Sequence, residues 1–93
     1  MTVVDADARL RKLRMRSWRR GMKEMDLILG PFSDMGLSAL DPAQLDLYEA
    51  LLAENDQELY LWVTGAGERP LQYAQLLDRI ATAVGLPPRP VPR

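Results

Sequence analysis

Apolar residues recur along this chain at helical spacing, and nowhere over a useful length at the alternating spacing of a strand. Met22, Met25, Leu29 and Phe32 stand at i, i+3, i+7 and i+10, which places them on one face of a helix. A second face of this kind follows later in the chain, at Tyr73, Leu76, Leu77, Ile80 and Val84. Since no segment alternates with period two, the sequence predicts an all-α fold, a small bundle of about five short helices.

Local signals suggest where these helices begin and end. Asp41 is the predicted N-cap of the third helix, and the Gln44 side chain can bond back to the backbone amide of Asp41. Asp56 is the predicted N-cap of the fourth helix. Gly30 and Pro31 predict a kink or an interruption in the second helix, because proline removes an internal hydrogen bond. We predict helices over residues 6–18, 20–36, 42–55, 56–64 and 70–84.

The length of 93 residues and the apolar content of 47% suit one folded domain. We predict a single helical domain over residues 1–85 and a flexible, proline-rich tail over residues 86–93. No apolar run approaches the roughly 20 residues of a membrane span. We therefore expect no membrane insertion and a cytoplasmic, bacterial setting.

The chain contains no cysteine and no histidine. This excludes disulfides and metal–thiolate sites, and it removes the most common general base and metal ligand. Glu24 and Asp26 do not share a helical face, and no histidine is present to activate Ser17. We therefore expect neither catalysis nor a metal site in this chain.

Charge is distributed unevenly along the sequence. Residues 1–23 hold eight basic and two acidic residues, whereas residues 24–93 hold four basic and eleven acidic residues. A cationic segment of this kind can steer docking onto an anionic partner. Two other interpretations stay open: a solvated helix face, and a nucleic-acid-binding module that uses the basic N-terminal helix with Trp18 as a stacking platform.

Gly21 lies inside the predicted second helix, where a glycine costs roughly 0.5–1 kcal/mol relative to alanine. An Arg20–Glu24 ion pair on a helix would stabilise it by only about 0.2–0.5 kcal/mol, which is less than the glycine costs. Local helix stability therefore does not explain the glycine. Two explanations remain. Either a partner approaches the backbone closely at Gly21, between the side chains of Arg20 and Glu24, or Gly21 turns the chain at a helix–helix corner.

Two segments resemble the succinate dehydrogenase assembly factor 2 family, also called the SdhE or flavinator family. The first, at residues 16–27, reads Arg-Ser-Trp-Arg-Arg-Gly-Met-Lys-Glu-Met-Asp-Leu. The second, at residues 51–65, reads Leu-Leu-Ala-Glu-Asn-Asp-Gln-Glu-Leu-Tyr-Leu-Trp-Val-Thr-Gly. The family's Arg-Gly-x-x-Glu hallmark falls on Arg20, Gly21 and Glu24, and the resemblance extends over residues 9–85.

This resemblance implies a five-helix assembly factor that binds the flavoprotein subunit of succinate dehydrogenase, and in bacteria often that of fumarate reductase. Such proteins promote covalent attachment of FAD to a histidine of that subunit, so the FAD belongs to the client and is not held stably by this chain. The implied partner-binding residues are the hallmark together with Ser17, Met22, Asp56 and Trp62. Whether Asp56 and Trp62 contact the client or hold the fold stays open, and a generic helical adaptor is the alternative function.

Overall fold

A computed structural model describes residues 3–86, with side chains from residue 7 onward, and it confirms the all-α prediction. Five α-helices follow one another in this range: α1 (Val3–Trp18), α2 (Lys23–Gly36), α3 (Pro42–Leu52), α4 (Asp56–Thr64) and α5 (Ala74–Ala83). Short 3₁₀ turns at Leu37–Ala39 and Leu71–Tyr73 extend α2 and precede α5. Residues 87–93 lie outside the described part, so the tail at 86–93 and the domain boundary stay predictions.

The predicted inner face of α2 is buried in the centre of the bundle. Met25 and Leu29 have no exposed surface and Phe32 is 1% exposed, while Met22 is half-buried at the start of the helix. The other helices add apolar side chains around this face, among them Leu13, Leu51, Leu59, Leu77 and Ile80. Burying such side chains is the main favourable contribution to folding, so α2 organises the core.

The cap at the start of α3 is confirmed and the cap predicted for α4 is wrong. The Asp41 carboxylate accepts from the Gln44 amide at 2.8 Å, and the Gln44 side chain accepts from the Asp41 amide at 3.0 Å. In α4 the cap is Asn55, whose Oδ1 accepts from the amide of Gln57 at 2.8 Å. Asn55 has the extended backbone conformation that is typical of an N-cap, and Asp56 is the first residue of the helix.

Of the kink or interruption predicted at Gly30 and Pro31, the interruption is wrong, since α2 runs unbroken through both residues, and the kink stays a prediction. Proline removes one hydrogen bond from a helix, but burial of the opposite face of α2 maintains the helix here. Gly30 has a different role. A Cβ at this position would lie 2.3–2.5 Å from ring atoms of Trp18, so α1 packs closely against α2 at a glycine.

Within residues 3–86, none of the helices combines the length and the apolar character that crossing a membrane requires.

Candidate functional site

Gly21 lies in the turn that joins α1 to α2, and the prediction that it belongs to a helix is wrong. Its φ of +98° is in the region that favours glycine, and nothing lies within 4 Å of the position that a Cβ would take. The residue is exposed. Of the two explanations for this glycine, the turn between helices is therefore what the structure shows, and the space beside it is open to a partner.

Arg20 turns away from this space and inserts between the turn and the end of α3. Its guanidinium donates to the Asp56 carboxylate at 2.7 Å, and it also donates to the backbone oxygens of Leu52 and of Glu54, the latter at 2.9 Å. Only 9% of the Arg20 side chain is exposed. The hallmark arginine is thus bound within the chain and does not pair with Glu24.

Glu24 is exposed in the first turn of α2 and makes no ion pair with any described residue. Nearby, the Asp26 carboxylate accepts from the backbone amide of Arg20 at 2.5 Å, which closes the turn. Met22, the cap residue of α2, makes no side-chain cap bond. Glu24 can consequently accept hydrogen bonds from a molecule outside the chain.

A shallow depression of about 610 Å³ separates the α1–α2 turn from the α3–α4 turn. Its first wall is the segment 21–24 and its second wall is the segment 55–57, and we call it the two-turn depression. The lining is mostly polar and carries charges of both signs, from Lys23 and Glu24 on one wall and Asp56 on the other. Such a surface suits a polar segment of a macromolecule, since it offers charged donors and acceptors beside a bare backbone.

Two of the predicted contact residues lie in the core and not at this depression. Ser17 has no exposed surface, and its hydroxyl donates to the Leu13 carbonyl oxygen at 2.8 Å. Because that bond uses the only proton of Ser17, the Tyr48 hydroxyl must donate to Ser17 Oγ, 2.6 Å away. Burial raises the pKa of Tyr48 to about 12.

Trp62 is 8% exposed, and its ring stacks on Tyr73 with the centroids 6.0 Å apart. For Trp62 the structure therefore favours the core role over contact with a client. For Asp56 it shows both a place in the second wall and a bond to Arg20. Sequence reasoning missed Asn55, Gln57 and Asp26, although an Asn–Asp pair before a helical pattern was a signal that either residue could cap.

The cationic surface of α1 is partly neutralised within the chain. Arg9 bonds to Asp46 at 2.6 Å, which raises the pKa of Arg9, and Arg14 lies 3.1 Å from Asp34. Trp18 covers Gly30, and its ring nitrogen donates to Asp34 at 3.3 Å. These pairings leave fewer free cations on the described part of α1, which weakens the nucleic-acid alternative, although Trp18 stays 40% exposed.

Comparison with known proteins gives a consistent result over most of the chain. A sequence model of the family described as flavinator of succinate dehydrogenase matches residues 11–84. The FAD assembly factor SdhE of Vibrio cholerae is 36% identical over 63 residues, which cover 67% of this chain and 73% of that protein. The residues matched by the family model include both signature segments.

Mitochondrial relatives match as well, over a smaller share of their own length. Succinate dehydrogenase assembly factor 2-B of Drosophila mojavensis is 35% identical over 69 residues, 72% of this chain and 44% of that protein. The assembly factor 2 of Aspergillus flavus is 42% identical over 53 residues, 57% of this chain and 18% of that protein. The chain thus spans less than half of these two proteins, and the bacterial, cytoplasmic setting stays a prediction.

Proposed function

The chain belongs to the family of flavinators of succinate dehydrogenase, and on that premise we propose that it is an assembly factor for the flavoprotein subunit of that enzyme. In this proposal it binds the subunit and promotes the covalent attachment of FAD to it. The chain itself performs no catalysis and holds no cofactor. In support, it contains no histidine and no cysteine that could carry the flavin bond.

One observation carries the proposal: the family signature leads into an exposed turn whose glycine faces open space. Gly21 has no atom within 4 Å of its missing side chain, and Glu24 lies exposed on the same wall of the two-turn depression. A partner segment can therefore approach the backbone at Gly21 while it bonds to Glu24 or Lys23. Arg20, the residue before Gly21, is held by bonds within the chain and is not free to bond a partner in the same way.

The contribution of this chain to the reaction is positioning. A bound, rigid surface can hold the flavin site of the client in the arrangement from which its own groups react, and orientation of this kind lowers a barrier without a new chemical group. The exposed cations of the α1–α2 turn, Arg19 and Lys23, increase the rate of encounter with an acidic client surface. Glu24 supplies an acceptor that fixes the orientation of the client.

Flavinylation in a co-expression experiment tests the proposal directly. The flavoprotein subunit is expressed with and without this chain, denatured and separated on a gel, and its covalent flavin is measured by fluorescence. We expect a clear increase in covalent flavin when the chain is present. Equal flavin in both samples would reject the function. The same experiment with the flavoprotein subunit of fumarate reductase tests the prediction of a second client.

A pair of glycine variants tests whether docking uses the depression. Asparagine tolerates a positive φ, so Gly21→Asn adds a side chain to the depression at little cost in backbone strain. Gly85→Asn is the matched control, because Gly85 also has a positive φ, of +77°, and open space around it, but lies beyond α5. We expect G21N to lose binding to the subunit and G85N to retain it. Normal binding of G21N would show that the client does not approach this turn.

A further inference from the structure

Arg20 spans the two turns whose segments form the walls of the two-turn depression. The residue precedes Gly21 in the α1–α2 turn, and its side chain ends on three acceptors in the α3–α4 turn and at the helix ends that flank it. These are the Asp56 carboxylate and the backbone oxygens of Leu52 and Glu54. A single side chain therefore links the first wall to the second.

The geometry of this contact suits an arginine held in one orientation. The planar guanidinium bonds through Nε, Nη1 and Nη2 at once, which fixes its plane as well as its position. The exposed fraction is 9% for the Arg20 side chain and 19% for that of Asp56, so water screens this pair far less than a surface pair. The backbone amide of Arg20 is held in addition by Asp26.

We propose that Arg20 is a positioning residue, which sets the spacing of the two walls through Asp56 and does not touch the partner. This inference rests on the proposed function, in which a client docks at the depression. It divides the family hallmark into two parts. Gly21 and Glu24 contact the client, whereas Arg20 holds the two walls of the depression in place. Docking is then favourable because the walls are ordered before the client arrives.

Binding of purified client subunit to four variants tests this division. The variants are Arg20→Gln, Asp56→Ala, the two combined, and Arg69→Gln as the control. Arg69 is a matched arginine, since its side chain is 16% exposed and donates to both carboxylate oxygens of Asp78, but it lies outside the depression. Circular dichroism and chemical denaturation of each variant confirm that it is folded under the binding conditions.

We expect R20Q and D56A each to weaken binding about tenfold, as a preorganised surface becomes mobile, while R69Q binds normally. Because both changes break one linkage, the combined variant should bind about as weakly as either single variant. Losses that multiply in the combined variant would mean independent contacts and would overturn the inference. So would normal binding of R20Q or of D56A.

A lysine variant separates positioning from direct contact. Arg20→Lys keeps the positive charge but lacks the planar fork that reaches three acceptors, so we expect R20K to bind as weakly as R20Q. Retained binding by R20K would show that the client needs only the charge. If R20Q does not fold, R20K takes its place in the comparison with D56A: because Asp56 also lines the depression, only non-additive losses in the combined variant support positioning, and losses that multiply overturn it.

The unaltered chain shows which proposal has failed. If it binds the subunit and raises covalent flavin while R20Q and D56A bind equally well, only the positioning role is wrong. If the unaltered chain does not bind the subunit, the proposed function is wrong and the inference falls with it.

Discussion

Gly30 has no room for a side chain, whereas Gly21 has room but a backbone conformation that few side chains accept. At Gly30 the ring of Trp18 lies 2.3–2.5 Å from the position of a Cβ, and the residue is buried in the contact of α1 with α2. At Gly21 nothing lies within 4 Å, and φ is +98°. One glycine therefore allows two helices to pack, and the other turns the chain beside an open surface.

The two glycines show that the same residue type can serve packing within a protein at one position and leave room for a partner at another. Space at Gly30 is occupied by the chain itself, so a substitution there acts on folding. Space at Gly21 is free, so a substitution there acts first on the backbone and then on whatever approaches from outside. The family signature contains Gly21, and the structure places the free space at that residue.

The largest effect is expected for Gly30→Ala. The new methyl group would overlap the ring of Trp18, which must either move with α1 or leave its site and lose its bond to Asp34. We expect a loss of about 1–3 kcal/mol in the free energy of unfolding, the usual range for overpacking. Chemical denaturation followed by circular dichroism measures it.

The same substitution in a Trp18→Ala background is the control. With the ring removed, alanine at position 30 should cost nothing and can stabilise the helix by up to about 1 kcal/mol, since alanine is the better helix former. If G30A is equally harmful with and without Trp18, the close contact with the ring is not the reason for this glycine.

A smaller loss is expected for Gly21→Ala, and it should come from the backbone alone. A positive φ costs an ordinary side chain roughly 1–2 kcal/mol, and no neighbour adds a clash at this position. Gly21→Asn should cost less than about 1 kcal/mol, because asparagine tolerates this region. Equal losses for the two variants in chemical denaturation would contradict the account from backbone strain.

The helical faces were predictable from the sequence because each depends on spacing within one helix. Met25, Leu29 and Phe32 share a face by spacing alone, and the structure buries all three. The cap of α3 was predictable for the same reason, since Asp41 and Gln44 are neighbours in the sequence and bond to each other. For Gly21 the sequence left two explanations open and wrongly placed the residue in a helix, so its position in an exposed turn needed the structure.

The parts that sequence reasoning missed depend on contacts between distant segments. Arg20 bonds to Asp56, 36 residues later, and a charged residue next to a signature glycine gives no local sign of such a partner. Gly30 is explained by Trp18, which belongs to another helix, so its local signal beside Pro31 indicated a break that does not occur. Ser17 is buried and bonds to the hydroxyl of Tyr48 on α3, a contact that its own segment does not indicate.

Asn55→Ala tests the second wall of the two-turn depression, with an expected loss of about 1 kcal/mol in the free energy of unfolding, typical of a removed helix cap. The Asn55 side chain accepts from the amides of Gln57 and Glu58, so its removal leaves the start of α4 without these bonds. Asp41→Ala, at the cap of α3, should destabilise the chain to a similar degree. Because Asn55 lines the depression and Asp41 does not, N55A should also weaken client binding and D41A should not, as measured by titration with the purified subunit.

The smallest effect at neutral pH is expected in the core, at Tyr48, whose side chain is buried. Burial raises the pKa of its hydroxyl from 10.0 to about 12, which means that the folded state favours the neutral form. This contribution to stability is fully present below pH 10 and is lost as the pH rises toward about 12, at up to about 1.4 kcal/mol per pH unit. Denaturation of Tyr48→Phe should show a weaker decline over this pH range than the unaltered chain, while both bind the client equally at neutral pH. A parallel decline in both proteins would mean that the titration of Tyr48 is not coupled to folding. Weaker client binding by Y48F at neutral pH would mean that the core around Tyr48 also affects docking.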